Sequence, residues 1–222
     1  MQSLDQKQPA VGILGGTFDP IHYGHLRTAL EVAEHFGITD MRLIVGKVPP
    51  HRPQPVATAE QRFAMLQLAV ANEPSLRADD REIRRDGYSY TVDTLQALRA
   101  EVGDKTPLLF SLGVDAFLYF QQWHRWETIL SLAHLVVVHR TGYSLPPAAW
   151  YASRLSTERG DLYATPAGRI YCLAVTPLAI SATRLRDILQ QGQNPRYLLP
   201  DSVLDYIQTH QLYVRFNGTG TT

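Results

Sequence analysis

The run Ala10-Val11-Gly12-Ile13-Leu14 is apolar and ends at Gly15-Gly16. A run that short reads as a buried strand entering a tight turn. Past the turn, Leu26, Leu30 and Ala33 recur at helical spacing, and Gly37 closes the segment. Strand followed at once by helix constrains the fold strongly, because the alternation implies a parallel sheet covered on both faces. The pattern returns along the chain. Further apolar runs of strand length stand at 41–45, 108–112, 135–138 and 170–175. Thr58-Ala59-Glu60-Gln61 has the form of a capping box ahead of Phe63, Leu66 and Val70 on one helical face. Leu95, Leu98 and Val102 mark another helix, with Thr91 as its N-cap. Ser181 can cap a helix running to Gln191, with Gly192 just past its end. Residues 115–132 carry Trp123 and Trp126, and 144–168, rich in Pro, Ala and Arg, read as a helix-containing excursion. The expected fold class is α/β, a doubly wound parallel sheet with helices on both faces. Such sheets bind ligands beyond the carboxyl ends of their strands.

Length and charge narrow the function classes. The 222 residues suit one compact domain over 10–215, with 1–9 a flexible N-terminus and 216–222 a flexible tail. Twenty-one basic residues against 21 acidic ones leave no net charge, which argues against a basic surface for long nucleic acid. Cys172 is the single cysteine, so an intrachain disulfide is excluded and a cytoplasmic home is favoured. No apolar run reaches the length of a transmembrane helix, and residues 1–9 lack the apolar stretch of a secretory signal. Neither a membrane nor a nucleic acid is an expected partner. Whether the chain forms a homo-oligomer cannot be read from the sequence.

The chemistry concentrates in Gly15-Gly16-Thr17-Phe18-Asp19-Pro20-Ile21-His22-Tyr23-Gly24-His25-Leu26, between the first strand and the first helix. Glycines let a backbone approach a phosphate closely, and a helix N-terminus favours an anion. His22 and His25, three apart at the helix opening, can face one point near its positive end. Two other readings compete. An HxxH pair could ligate zinc, but catalytic zinc usually takes three protein ligands and no third follows close by. The pair could also simply cap the helix. The string is neither GxGxxG nor GxxxxGK[ST], which disfavours dinucleotide dehydrogenases and P-loop enzymes.

This string resembles the G-x-F-D-P-x-H-x-G-H signature of the nucleotidyltransferases with an HxGH motif, whose fold is Rossmann-like. Their second signature, of the form I-S-S-T-x-I-R, is matched by Ile180-Ser181-Ala182-Thr183-Arg184-Leu185-Arg186, with Ala182 in place of a Ser. Within the class the chain is similar to bacterial nicotinate-nucleotide adenylyltransferases. The resemblance runs from about residue 10 to 214, through Val48-Pro49-Pro50-His51-Arg52, Tyr88-Ser89-Tyr90-Thr91-Val92-Asp93-Thr94-Leu95, Gly113-Val114-Asp115, Trp123 and Arg140-Thr141-Gly142-Tyr143. It implies adenylyl transfer from ATP to nicotinic acid mononucleotide, releasing pyrophosphate, in NAD biosynthesis. Mg²⁺ is implied as a bridge across ATP oxygens, with no metal ligand from the protein.

The resemblance also implies roles. His22, His25 and Arg186 would act on the transferring phosphate and the leaving pyrophosphate. Gly15, Gly16, Thr17, Phe18, Gly113, Asp115, Ile180, Ser181 and Thr183 would complete the ATP site. Thr17, Lys47, His51, Arg52, Tyr90, Thr91, Trp123 and His124 would hold the mononucleotide, with Trp123 stacked on its ring and Thr91 at its carboxylate. From spacing alone, Arg184 and Arg186 cannot be told apart. A Trp in such a segment is more often core, so Trp123 takes the stacking role from the resemblance alone, and Arg52 reads equally as an ordinary exposed arginine. The chain departs from the pattern at Gly46-Lys47, where relatives often carry Asn, at His124 in place of a frequent Tyr, and at Thr141 in place of Pro. The rivals are an adenylyltransferase for nicotinamide mononucleotide or phosphopantetheine, a non-catalytic nucleotide-binding protein, and an aminoacyl-tRNA synthetase fragment. Intact His22, His25 and Arg186 disfavour the non-catalytic reading, since a binder needs no groups aimed at a transition state.

Overall fold

The computed structural model describes residues 9–47, 54–139, 142, 145–147 and 149–214. Its centre is a seven-stranded sheet in the order β3-β2-β1-β4-β5-β7-β6, with every neighbouring pair parallel. The strands are β1 Val11–Gly16, β2 Asp40–Val45, β3 Leu76–Asp79, β4 Leu108–Gly113, β5 His134–His139, β6 Leu155–Ser156 and β7 Ile170–Ala174. The longer helices are α1 Tyr23–Phe36, α2 Ala59–Val70, α4 Thr91–Val102, α6 Trp126–Leu132, α9 Ala182–Gln190 and α10 Asp201–Thr209. Short turns of helix, α3 Arg81–Arg84, α5 Val114–Leu118, α7 Ala149–Ala152 and α8 Asp161–Ala164, fill the connections. The expected α/β architecture is therefore present as one parallel sheet with helices around it.

Period-two alternation in the strands divides the core. Leu14, Met41, Leu43, Val45, Leu109 and Val136 face one cluster, built with α1, α2 and α10. Val11, Ile13, Ile44, Phe110, Leu135 and Val137 face the other, built with α4, α5 and α6. The central strands β1, β2, β4 and β5 are buried on both sides along most of their length, which is why their apolar runs are nearly continuous. β1 pairs with β2 on one edge and β4 on the other, so strand order reverses between β1 and β4. A crevice opens beyond their carboxyl ends, where the fold leaves room for a ligand.

Local signals fix the helix ends. Gly37, at φ 66°, closes α1 by donating to Ala33 and Glu34 carbonyls. Thr58 and Gln61 form the expected reciprocal capping box of α2. Ser181 accepts from the Arg184 amide at 3.2 Å. Three details differ from the sequence reading. The buried stripe of α1 is Ala29, Val32, Ala33 and Phe36, so Leu30 is only partly covered. The buried face of α2 is Arg62, Met65, Leu66 and Val70, with Phe63 at its edge. Tyr90, not Thr91, is the N-cap of α4, and Thr91 is its first helical residue.

His134 opens β5 fully buried. Its Nδ1 accepts from the Arg169 amide at 3.0 Å, while Nε2 faces the Thr165 carbonyl at 2.8 Å. That pairing selects the neutral tautomer, and burial pushes its pKa down to about 4. The unfolded chain takes up this proton below about 6.5, so the folded state binds fewer protons between those values. Stability is therefore expected to fall as pH drops from about 6.5 towards 4, by about 3 kcal/mol from this residue. Denaturant titrations at pH 7 and 4.5 check it. His134→Asn should flatten the loss, and an unchanged slope would show that His134 protonates freely in the fold.

Candidate active site

The loop leaving β1 turns sharply to reach α1. Phe18 adopts φ 49° and is 2% exposed, and its ring meets the His25 ring edge-on at 5.0 Å. A Cβ on Gly16 would lie 2.5 Å from the Phe18 ring, so only glycine admits this turn. His22 is the N-cap of α1 with extended backbone, but its side chain makes no capping hydrogen bond. Its ring instead stacks on His25, with centroids 3.8 Å apart and planes 24° from parallel. A Cβ on Gly24 would approach the His22 ring to 3.0 Å, which explains the glycine between the two histidines.

The two histidines are not equivalent. His25 lines a cleft of about 800 Å³ beyond β1 and β4, together with Gly15, Gly16, Thr17, Phe18 and Gly113. His22 is 4% exposed and lies outside that lining, behind His25. Its Nδ1 is buried without a hydrogen-bond partner. Burial lowers its pKa to about 4, so the ring is neutral at neutral pH. The two imidazoles thus form a stacked pair with one member at the surface, rather than two rings converging on one point.

The start of α9 supplies a further part of the wall, beside the loop. Thr183, Ala182 and Arg186 line the cleft, whereas Ile180 packs against the core and Ser181 serves as the cap. Arg186 donates to the Asp19 carbonyl at 2.7 Å and reaches Thr183 Oγ1 at 3.4 Å. Arg184 is exposed and outside the cleft, which separates the two arginines. Asp115 also stands exposed outside the lining, in the first turn of α5.

Two buried charges, absent from the sequence reading, hold this loop. Asp19 is 4% exposed and accepts from the Val56 amide at 2.8 Å, the Ala57 amide at 3.1 Å and Tyr213 Oη at 2.7 Å. Arg186 Nη1 lies 3.7 Å from Asp19 Oδ2, the oxygen that accepts from Val56. Arg62 is 1% exposed and donates to four carbonyls: Ala57, Thr17, Gly46 and Lys47, at 2.6 to 3.2 Å. Together they tie the signature loop to the end of β2 and to the start of α2.

The far end of the cleft is aromatic. Trp123 lines it, with its ring packed on Phe110 at 6.1 Å and on Phe120 at 5.4 Å. Trp126 packs into the core against Phe120 and Trp150. The Tyr90 and His124 rings lie 4.5 Å apart at the same end, and Thr91 lines the cleft at the start of α4. The N-cap of α4 makes no side-chain hydrogen bond, so this helix presents an uncapped N-terminus. Lys47 turns away: its ammonium donates to the Arg85 carbonyl at 3.1 Å and lies outside the lining. Burial raises the Glu82 carboxyl above the usual range, against hydrogen bonds from Thr94 and Ser89 that lower it. His51, Arg52 and Thr141 lie outside the described residues. Among the described residues no three His, Cys, Asp or Glu side chains gather as a metal site.

A glycine-rich turn, a histidine at a helix opening and an arginine line one crevice at the switch point of the sheet, an arrangement suited to nucleotidyl transfer. The profile of the cytidylyltransferase-like family matches residues 13–188, and the chain belongs to that family. Within it the chain is a member of the nicotinate-nucleotide adenylyltransferases. A probable nicotinate-nucleotide adenylyltransferase of Aeromonas salmonicida is 48% identical over 207 residues, covering 91% of this chain and 96% of that protein. The corresponding protein of Hahella chejuensis is 46% identical over 218 residues, covering 96% and 100%. Among solved structures, nicotinic acid mononucleotide adenylyltransferase of Plasmodium falciparum complexed with NaAD superposes with a TM-score of 0.70. It is 18% identical, with 92% of this chain and 97% of that one covered. At that identity the superposition speaks for the fold.

Proposed function

We propose that the chain transfers the adenylyl group of ATP to nicotinic acid mononucleotide, giving nicotinic acid adenine dinucleotide and pyrophosphate. The carrying observation is a single cleft lined by His25 and Arg186 and also by Trp123 and the uncapped start of α4. The mononucleotide phosphate attacks the α-phosphorus in line. It is already an anion, so positioning and charge stabilisation supply the acceleration. His25 takes the α-phosphate, with His22 stacked behind it to fix its plane. Arg186, anchored on the Asp19 carbonyl, meets the leaving pyrophosphate as a planar fork. The loop 15–18 and Gly113 bring backbone close to ATP. Trp123 offers a face to the pyridine ring, and the first-turn amides of α4 receive its carboxylate beside Thr91.

A divalent cation such as Mg²⁺ would come with ATP and would supply charge neutralisation at its phosphates. The donor set fits an ion held by substrate and water: Asp19 is occupied by three donors, and Asp115 stands outside the cleft. The setting we assign is the cytoplasm, in keeping with a lone thiol, Cys172; no described helix is long and apolar enough to cross a membrane.

Pyrophosphate release with ATP and Mg²⁺ tests the reading, with nicotinic acid mononucleotide, nicotinamide mononucleotide and phosphopantetheine offered in parallel. Strong preference for the acid is expected. Preference for either other acceptor would overturn the assignment of the α4 terminus. Trp123→Ala should raise the KM for the mononucleotide about tenfold or more, since one stacked ring contributes roughly 1–3 kcal/mol, with the KM for ATP within twofold. Equal rises in both would return Trp123 to the core.

A further inference from the structure

Beneath the aromatic end of the cleft, a carboxylate joins two segments that approach it from different parts of the chain. Glu82, in α3, is partly covered and lines the cleft together with Ser89, Tyr90, Thr91 and Thr94. Thr94, in the first turns of α4, donates through Oγ1 to Glu82 Oε1 at 2.5 Å. The same hydroxyl receives an Arg85 guanidinium N–H at 3.4 Å. On the other side, the Lys47 amide donates to Ser89 Oγ at 2.9 Å, and the Ser89 hydroxyl stands close enough to Glu82 to favour its charged form. Each hydroxyl is thus given a proton donor from elsewhere, which directs its own hydrogen at the carboxylate. The result is a directed chain from the end of β2, through Ser89 and Glu82, to α4.

We propose that Glu82 is a positioning residue for the mononucleotide side of the reaction, fixing the first turn of α4 against the Gly46-Lys47 segment. A hypothetical Cβ on Gly46 would lie 3.6 Å from Glu82 Oε2, so the carboxylate reaches that segment directly. Its own partner Thr94 belongs to the acceptor side of the cleft. On the ATP side Asp19 is held by Val56, Ala57 and Tyr213, and Arg62 joins Thr17 to the Gly46 and Lys47 carbonyls, so that segment stays tied to the loop when the Glu82 carboxylate is lost. Loss of the carboxylate should therefore weaken acceptor binding without touching ATP. The inference rests on the acceptor lying beside Thr91 and Trp123.

The experiment is steady-state kinetics on Glu82→Gln, Thr94→Val and Trp123→Ala, with ATP and nicotinic acid mononucleotide varied in turn. Glu82→Gln keeps the volume but gives an amide where two hydroxyl donors need acceptors. Its mononucleotide KM should rise about fivefold or more, a change of roughly 1 kcal/mol, with ATP KM and kcat within twofold. Thr94→Val, which removes the donor from the other end, should give the same selective rise. Thr94→Ser, which keeps the hydroxyl, should restore it. A merely structural role would lower Tm while leaving the two KM values in their original ratio, and that result overturns the proposal. If Trp123→Ala raises the mononucleotide KM and the Glu82 and Thr94 variants do not, the proposal falls while the acceptor assignment stands. If the Glu82 and Thr94 variants raise it and Trp123→Ala does not, Glu82 keeps its role and the stacking assignment falls.

Discussion

His25→Ala is expected to lower turnover by about 10²–10³-fold while leaving ATP affinity within a few-fold, because a donor aimed at developing charge acts mainly in the transition state. The geometry supplies the reason for choosing His25. It is the histidine that lines the cleft, and it is gripped on both sides, by the Phe18 edge at 5.0 Å and by the His22 ring at 3.8 Å. His22→Ala should also depress turnover, through loss of that grip, whereas His22→Phe keeps a ring for His25 to lie on and should retain more activity. Single-turnover rates with saturating ATP, together with ATP binding measured by calorimetry, decide the matter. Near wild-type turnover in His25→Ala would remove it from the chemistry. A better-preserved rate in His22→Ala than in His22→Phe would reverse the roles assigned within the pair.

The second large effect concerns stability. Arg62→Met keeps an apolar stem of similar reach but removes a guanidinium that serves four carbonyls at a site 1% exposed. Each buried polar group left unpaired costs about 1–3 kcal/mol, and water can reach only some of them, so a loss of at least about 3 kcal/mol is expected. At this chain length that lowers Tm by about 6–12 °C. Because those carbonyls belong to Thr17, Gly46, Lys47 and Ala57, activity should fall with stability even in the fraction that remains folded. Thermal unfolding followed by circular dichroism, with activity normalised to folded protein, measures both. A Tm within 2 °C of wild type would mean that the carbonyls find other donors.

Arg62 also shows where sequence reading stops. The strands were legible because burial on both faces makes apolar runs, and helix ends were legible where Thr58, Gln61, Ser181 and Gly37 carry capping chemistry in their own side chains or backbone. An arginine amid Phe63, Leu66 and Val70 carries no mark of being interior, since its burial depends on carbonyls brought in by other segments. In α1, alanines face the sheet closely, and the larger Leu30 pulled the reading one position aside. β3 was missed because its four residues, Leu76–Asp79, include an arginine and an aspartate at the sheet edge. α10 went unassigned although its buried side, Val203, Leu204 and Ile207, is regular.

Within the site, His25, Arg186 and Thr183 of the two signatures lie in the cleft wall, and they were legible because tight turns and helix openings are written in local residues. Asp115 and Lys47, carried over by resemblance, stand outside that wall. Asp19 lay inside the signature, yet its task could not be read there. Its donors are 37, 38 and 194 residues away in the chain.

The longest of those separations bears on how the molecule comes into being. Tyr213 is 4% exposed and gives its hydroxyl to Asp19, in the loop that also carries the two histidines. A ribosome makes the loop first and reaches Tyr213 only after 194 further residues. Until residue 213 has cleared the exit tunnel, Asp19 lacks one of its donors and Arg186 faces a loop held at fewer points. A nascent chain can lay down the sheet, but it cannot set the nucleotide loop in its finished form. Completion of this site thus waits on a residue made 194 positions after the loop it clasps, and a change at Tyr213 acts directly on Asp19.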